Sequence, residues 1–181
     1  MTTKVLPSWN VVTKHDVFAD ANHDEVARLN FLTHLNAHLS ATTLPGVKQA
    51  YETQVKPQFI KDQGHEPENR HQLKAAMVNN HSYQMWSALS RNNMEMRQQA
   101  GRAQVLRQIE ALVEKVEQYN EGADTLILDD SITIPENIGS VDIHCQPGCY
   151  FTEYFDNDVT VAASYDLGLF VPTAGSLGSL S

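Results

Sequence analysis

His34 and His38 stand four residues apart in a stretch of helical periodicity, the spacing that sets two imidazoles on one helix face as metal ligands. Leu35 and Asn36 leave no HExxH motif around them. Both histidines also flank an apolar stripe, where such side chains serve equally by bonding to neighbours or solvent. A second group is His144-Cys145-Gln146-Pro147-Gly148-Cys149. Two cysteines and a histidine could bind zinc, but a closed site takes four ligands and the sequence holds no other cysteine. Nucleophilic use of Cys145 needs an activating base, and in extended chain its neighbour His144 points to the opposite face. The other reading is a structural loop whose cysteines act as small hydrophobes. A disulfide would close only a tiny loop, so reduced thiols are expected.

Trp86, Arg91, Asn92 and Glu95 form a third group. Their spacing admits a cleft lined by Arg91, Asn92 and Glu95 beneath Trp86, which would make all four substrate-binding candidates. It equally admits a core tryptophan and a surface Arg91–Glu95 pair, worth roughly 0.2–0.5 kcal/mol. Asp129-Asp130 and Asp156-Asn157-Asp158 are acidic loop clusters, and neither fits a twelve-residue calcium loop. No GxGxxG follows a strand, and neither GxxxxGK[ST] nor GxSxG occurs. The sequence therefore carries no recognisable complete nucleotide-binding catalytic domain.

The elements that must position these groups are mainly helical. From Asp24, Val26, Leu29, Leu32, Leu35 and Leu39 recur at spacings of three and four, with Asn22 or Asp24 as N-cap. Leu44-Pro45-Gly46 is expected to end that helix. A second helix covers Val47 to Asp62, kinked or split at Pro57 and stopped at Gly64. A short third helix lies around Leu73 to Val78. A long helical stretch then runs from Ser82 to Tyr119, with a bend at Gly101 and a stop at Gly122. Its second half carries the strongest amphipathic stripe: Val105, Ile109, Leu112, Val116 and Tyr119. That stripe and the one from Val26 to Leu39 are expected to pack into one core, with Trp86 sealing an end.

Beyond Gly122 the character changes. Thr125–Leu128, Ile132–Ile134 and Val141–Ile143 read as short strands, and Val161 to Tyr165 as a helix. The expected architecture is a helical bundle over residues ~24–120 followed by a short, irregular β-containing segment. In domain terms this is a helical domain over 1–122 and an irregular segment over 123–181.

The 181 residues are 41% hydrophobic and 19% charged, enough for a folded core. A formal charge of −9 argues against nucleic acid and anionic membranes as partners. No apolar run resembles a signal peptide or a membrane span, so a soluble cytoplasmic protein is expected.

Three stretches together resemble one family. They are Trp86-Ser87-Ala88-Leu89-Ser90-Arg91-Asn92-Asn93-Met94-Glu95-Met96; the run from Leu126 through Ile134-Pro135 into Val141-Asp142-Ile143-His144-Cys145-Gln146-Pro147-Gly148; and Tyr165-Asp166-Leu167-Gly168. Their order and spacing are similar to the region ahead of the catalytic domain in bacterial class I methyltransferases dependent on S-adenosylmethionine, over most of residues 29–178. The resemblance implies an accessory or substrate-capping region, inactive alone, whose Rossmann-like domain would follow Ser181. It adds Asp142 and His144 to the substrate-binding candidates and Tyr165 and Asp166 as cofactor-binding candidates. It implies S-adenosylmethionine for the longer protein only, and a small-molecule substrate or a catalytic domain as partner. Two other classes stay open: a helical protein-interaction module, docking through the 105–119 stripe to a partner or to itself as a homo-oligomer, and a metal-dependent enzyme using the His and Cys ligands.

Overall fold

The computed structural model describes residues 14–125, 127, 129 and 131–173. The chain is mainly helical: α1 (His23–His38), α2 (Leu44–Ala50), α3 (Lys56–Gln63), α4 (Arg70–Met77), α5 (His81–Leu106), α6 (Ile109–Asn120), α7 (Glu136–Gly139) and α8 (Thr160–Gly168). It divides into two compact units, one of Met1–Thr33 with Met94–Ser181 and one of His34–Asn93. The segment after Gly122 belongs to the first unit together with α6 and the first part of α1.

In the first unit, Leu29 and Leu32 of α1 pack with Ala100 and Val105 of α5 and Leu112 of α6. This joins the two apolar stripes read from the periodicity. The C-terminal residues complete the core: Ala163 and Leu167 of α8 are buried in it, followed by Phe170 and Val171. The far end of the α6 stripe departs from expectation. Tyr119 is 57% exposed, because its hydroxyl reaches the Asp16 carboxylate rather than the core. Leu39 is buried too, but in the second unit. Trp86 lies in that unit as well.

Gly101 is not a bend. It lies inside α5, and a Cβ there would stand 2.9 Å from the Ser164 carbonyl oxygen of α8. Its missing side chain is what lets the two backbones meet. The helical path breaks instead at Arg107 and Gln108, between α5 and α6. Gln108 leaves helical geometry with φ −132° and ψ 22°. Both residues turn to the chain before α1. Gln108 exchanges two hydrogen bonds with the Asp20 backbone (3.0 and 2.9 Å), and Arg107 donates to the Asp20 carbonyl at 2.8 Å.

The start of α1 is a capping box. The Glu25 amide donates to the Asn22 side chain at 3.0 Å, and the Asn22 amide donates to the Glu25 carboxylate at 2.8 Å. Arg107 grips the same carboxylate with two bonds of 2.9 and 2.8 Å. That guanidinium hydrogen bond, chiefly, holds the Glu25 carboxyl below the usual range. The folded chain thus keeps Glu25 ionised to lower pH than the unfolded chain does. Its stabilisation is present above the ordinary glutamate range and is lost as pH falls through the folded value. Glu25→Gln, which retains the capping geometry, will unfold more easily than the parent at neutral pH. The difference will close on acidification, as read by denaturant midpoints; a gap unchanged at acid pH would show that the charge is not the cause.

The second unit corrects the expectation at Pro45, and at Pro57 the α-helical path is interrupted by a π-turn. The helix does not stop at Leu44-Pro45-Gly46. A π-turn over Leu39–Thr43 leads directly into α2, and another over Tyr51–Val55 leads into α3. A proline lacks the N–H that would bond four residues back, and its ring collides with that carbonyl. Here the residue before each proline donates five back instead: Leu44 to Leu39 and Lys56 to Tyr51. The wider turn removes the collision and the helix continues. It ends at Gly64, left-handed at φ 79°, as the sequence indicates. Asn69 caps α4 by accepting from the amides of His71 and Gln72, both at 3.0 Å.

Among the described residues there is no β-strand. Ile132–Ile134 is irregular chain, Val141 lies in a bend, and Ile143–Cys145 forms a short 3-10 turn. β-Branched residues favour a pleated surface only when a neighbouring strand supplies one. The expected run Thr125–Leu128 includes Leu126 and Leu128, which lie outside the described residues.

Candidate functional site

The loop from Asp142 to Tyr150 is the most constrained backbone of the first unit. His144, Cys145 and Cys149 adopt left-handed φ values of 59°, 55° and 56°, and Gly148 has 78°. Non-glycine residues held there cost of order 1–3 kcal/mol each, and such residues gather at ligand clamps and active sites. Packing enforces the shape. Cys145, Gln146 and Cys149 are buried, and the Cys149 thiol donates to the Val141 carbonyl at 3.4 Å. Both cysteines are free thiols. Gly148 is required twice over: its φ is left-handed, and a Cβ would meet the Tyr154 hydroxyl at 3.0 Å and Thr152 at 3.1 Å.

The turn leaves His144 exposed and places its Nδ1 2.5 Å from the Tyr150 hydroxyl. The two rings meet edge-on, with centroids 6.0 Å apart. Tyr150 in turn stands edge-on to Tyr165 of α8, at 5.6 Å. Two residues singled out by the resemblance, His144 and Tyr165, are therefore joined through a third that no sequence motif marked. Burial, reinforced by Tyr165, pushes the Tyr150 hydroxyl above its ordinary range. It keeps its proton at neutral pH.

Arg97 of α5 faces this chain. Its electrostatic neighbours are Tyr150, Tyr165 and Cys145, and burial draws its guanidinium below the usual value. Its Nε is buried with no hydrogen-bond partner, and among the described residues no carboxylate pairs with it. A half-buried cation without a counter-ion is costly, and its surroundings favour the arrival of an anion. The buried side-chain oxygens of Gln98 and Gln146 also lack partners. Arg97 Nε, as an unpartnered buried donor, is the group on this surface suited to an anionic or hydrogen-bond-accepting partner. Nothing in the sequence pattern marks Arg97, whose burial shows only in the folded chain.

The other candidates fall elsewhere. Asp142 is exposed, and its carbonyl accepts from the Cys145 amide at 3.4 Å. Asp166 accepts from or pairs with His15 Nε2 at 3.1 Å. Glu95, on α5, belongs to the first unit, whereas Trp86, Arg91 and Asn92 belong to the second. Asn92 donates back to the Ala88 carbonyl at 2.9 Å, a bond within its own helix. Trp86 lines a groove with Tyr83, Met77 and Tyr51, and neither Arg91 nor Asn92 is part of that lining. Among the described residues no three His, Cys, Asp or Glu side chains converge as a metal site. Asp130 lies outside the described residues; the Asp129 carboxylate accepts from the Ser131 hydroxyl and amide. Among the described residues no helix is long and apolar enough to cross a membrane.

Compared with known proteins, the chain matches no family model, no curated protein and no solved structure.

Proposed function

We propose that this chain is the accessory, substrate-capping region of an S-adenosylmethionine-dependent methyltransferase, acting with a catalytic domain rather than alone. The observation that carries the reading is the chain His144–Tyr150–Tyr165 over the unpaired Arg97. The resemblance assigns His144 to the substrate and Tyr165 to the cofactor, and a cap needs its substrate-side and cofactor-side residues on one surface. The strained Asp142–Tyr150 turn supports the same role, since left-handed backbone is retained where a ligand must be met in one geometry. In this role Arg97 takes an anionic group of the substrate or cofactor, and His144, held by Tyr150, orients the acceptor. A small-molecule substrate and a cytoplasmic setting belong to the same reading.

The parent reading frame beyond Ser181 is the test. A hydrophobic strand leading into a glycine-rich loop is expected there. The extended product will bind S-adenosylmethionine in calorimetry, while the 181-residue chain by itself will not reach micromolar affinity, since no GxGxxG follows a strand in its sequence. A frame that closes at Ser181, or micromolar binding by the short chain, overturns the reading.

A further inference from the structure

The second unit carries a cavity of about 400 Å3 between α2, α4 and the first turns of α5. This lies in the range of roughly 300–1,000 Å3 typical of small-molecule sites. Its lining is mostly apolar and unusually aromatic. Buried Met77 forms an inner wall, and half-buried Tyr51 and Trp86 stand beside it. Flat rings and a polarisable thioether suit an aromatic body, which gains from edge and face contacts beyond its buried area.

The charges around the opening are one-sided. Lys48, Arg70 and Lys74 all line the cavity and are exposed. None of the three makes an ion pair among the described residues. Arg70 and Lys74 are four apart on α4, an arrangement of like charges that is unfavourable by itself. The one carboxylate in the lining, Glu52, pairs with Lys56 at 3.8 Å, and Lys56 also holds Glu66 at 3.0 Å. The second unit as a whole has six lysines and arginines against four carboxylates, in a chain whose formal charge is −9. Positive charge is thus kept at this opening although the rest of the sequence is acidic.

We infer that this groove is a binding site for a small aromatic carboxylate. The ring system lies against Trp86, Tyr51 and Met77, and the carboxylate is met by Lys48, Arg70 and Lys74. The site lies wholly within the second unit, so it stands independently of the methyl-transfer reading.

The probe is 2-naphthoate, with 2-naphthamide as a neutral partner of the same shape. Titrations by calorimetry are paired with the Trp86 indole N–H resonance, assigned with a Trp9→Phe variant because the chain has two tryptophans. Saturable binding of naphthoate with a shifted Trp86 resonance is expected, and naphthamide will bind at least about tenfold more weakly. The doubly charge-reversed variant Arg70→Glu/Lys74→Glu alters only exposed positions and will lose about tenfold or more in affinity at unchanged helicity and unfolding midpoint. Trp86→Ala will weaken naphthoate and naphthamide alike. Equal affinity for the two probes, or full affinity in the charge-reversed variant, overturns the proposal. So does the absence of saturable naphthoate binding, including where sedimentation finds a dimer that Trp86→Ala disperses, for then a second copy fills the groove.

Discussion

Leu112→Ala will lower the free energy of unfolding by about 2–5 kcal/mol. Leu112 is 2% exposed and sits at the centre of the first unit's core, among Leu29 and Leu32 of α1 and Val105 of α5. Truncation removes the transfer free energy of three carbons and leaves a void between helices fixed by their own bonds. Arg107 and Gln108 tie α6's entrance to Asp20, so α6 has little freedom to settle inward. Chemical denaturation with paired sedimentation provides the measurement. An unchanged midpoint together with weakened self-association would mean that the stripe serves a second subunit, and would defeat the core assignment.

Gly101→Val will destabilise the same unit by roughly 1–3 kcal/mol or more, through overpacking rather than a cavity. Even the first added carbon stands 2.9 Å from the Ser164 carbonyl oxygen and 3.4 Å from Leu167 Cβ. Neither neighbour can yield cheaply: one is helix backbone, and the other belongs to a fully buried residue. The helix propensity of valine exceeds that of glycine, so a free helix would gain from the change. The sign of the measured effect therefore separates a close helix crossing from a bend. Stabilisation would overturn the crossing; loss of midpoint with retained helicity supports it. Because α8 carries Tyr165, the variant will also disturb the Tyr150–Tyr165 contact.

Legibility in the sequence followed the range of the interactions. The stripes Val26–Leu29–Leu32 and Val105–Ile109–Leu112 were readable because a 3.6-residue period is a local property that burial enforces on each helix separately. Gly64 and Asn22 were readable because caps act within one turn. Gly101 was misread since its reason lies some sixty residues away, in α8. The runs at Ile132–Ile134 and Val141–Ile143 have strand-forming residues, but among the described residues no neighbouring strand pairs with them. At the site, His144 and Tyr165 were marked by the resemblance, whereas Arg97 and Tyr150 were not. An arginine becomes informative only when its burial and its lack of a counter-ion are both known, and neither has a spacing.

The paired π-turns bear on how such a helix changes through descent. A π-turn is an α-helix holding one surplus residue, and here each surplus is tied to the proline just after it. Dropping a residue from an ordinary helix rotates everything downstream by about 100° and turns an apolar face to solvent. Within Leu39–Thr43 or Tyr51–Val55, a one-residue deletion would instead convert the wide turn to a regular one, provided the proline is exchanged as well. Removing the surplus residue restores the collision at the proline, so a deletion here is tolerated best when the proline is lost as well. Descendants of a common ancestor should therefore differ by single-residue length changes within this helix that co-segregate with Pro45 or Pro57, in a type of element that ordinarily conserves its length.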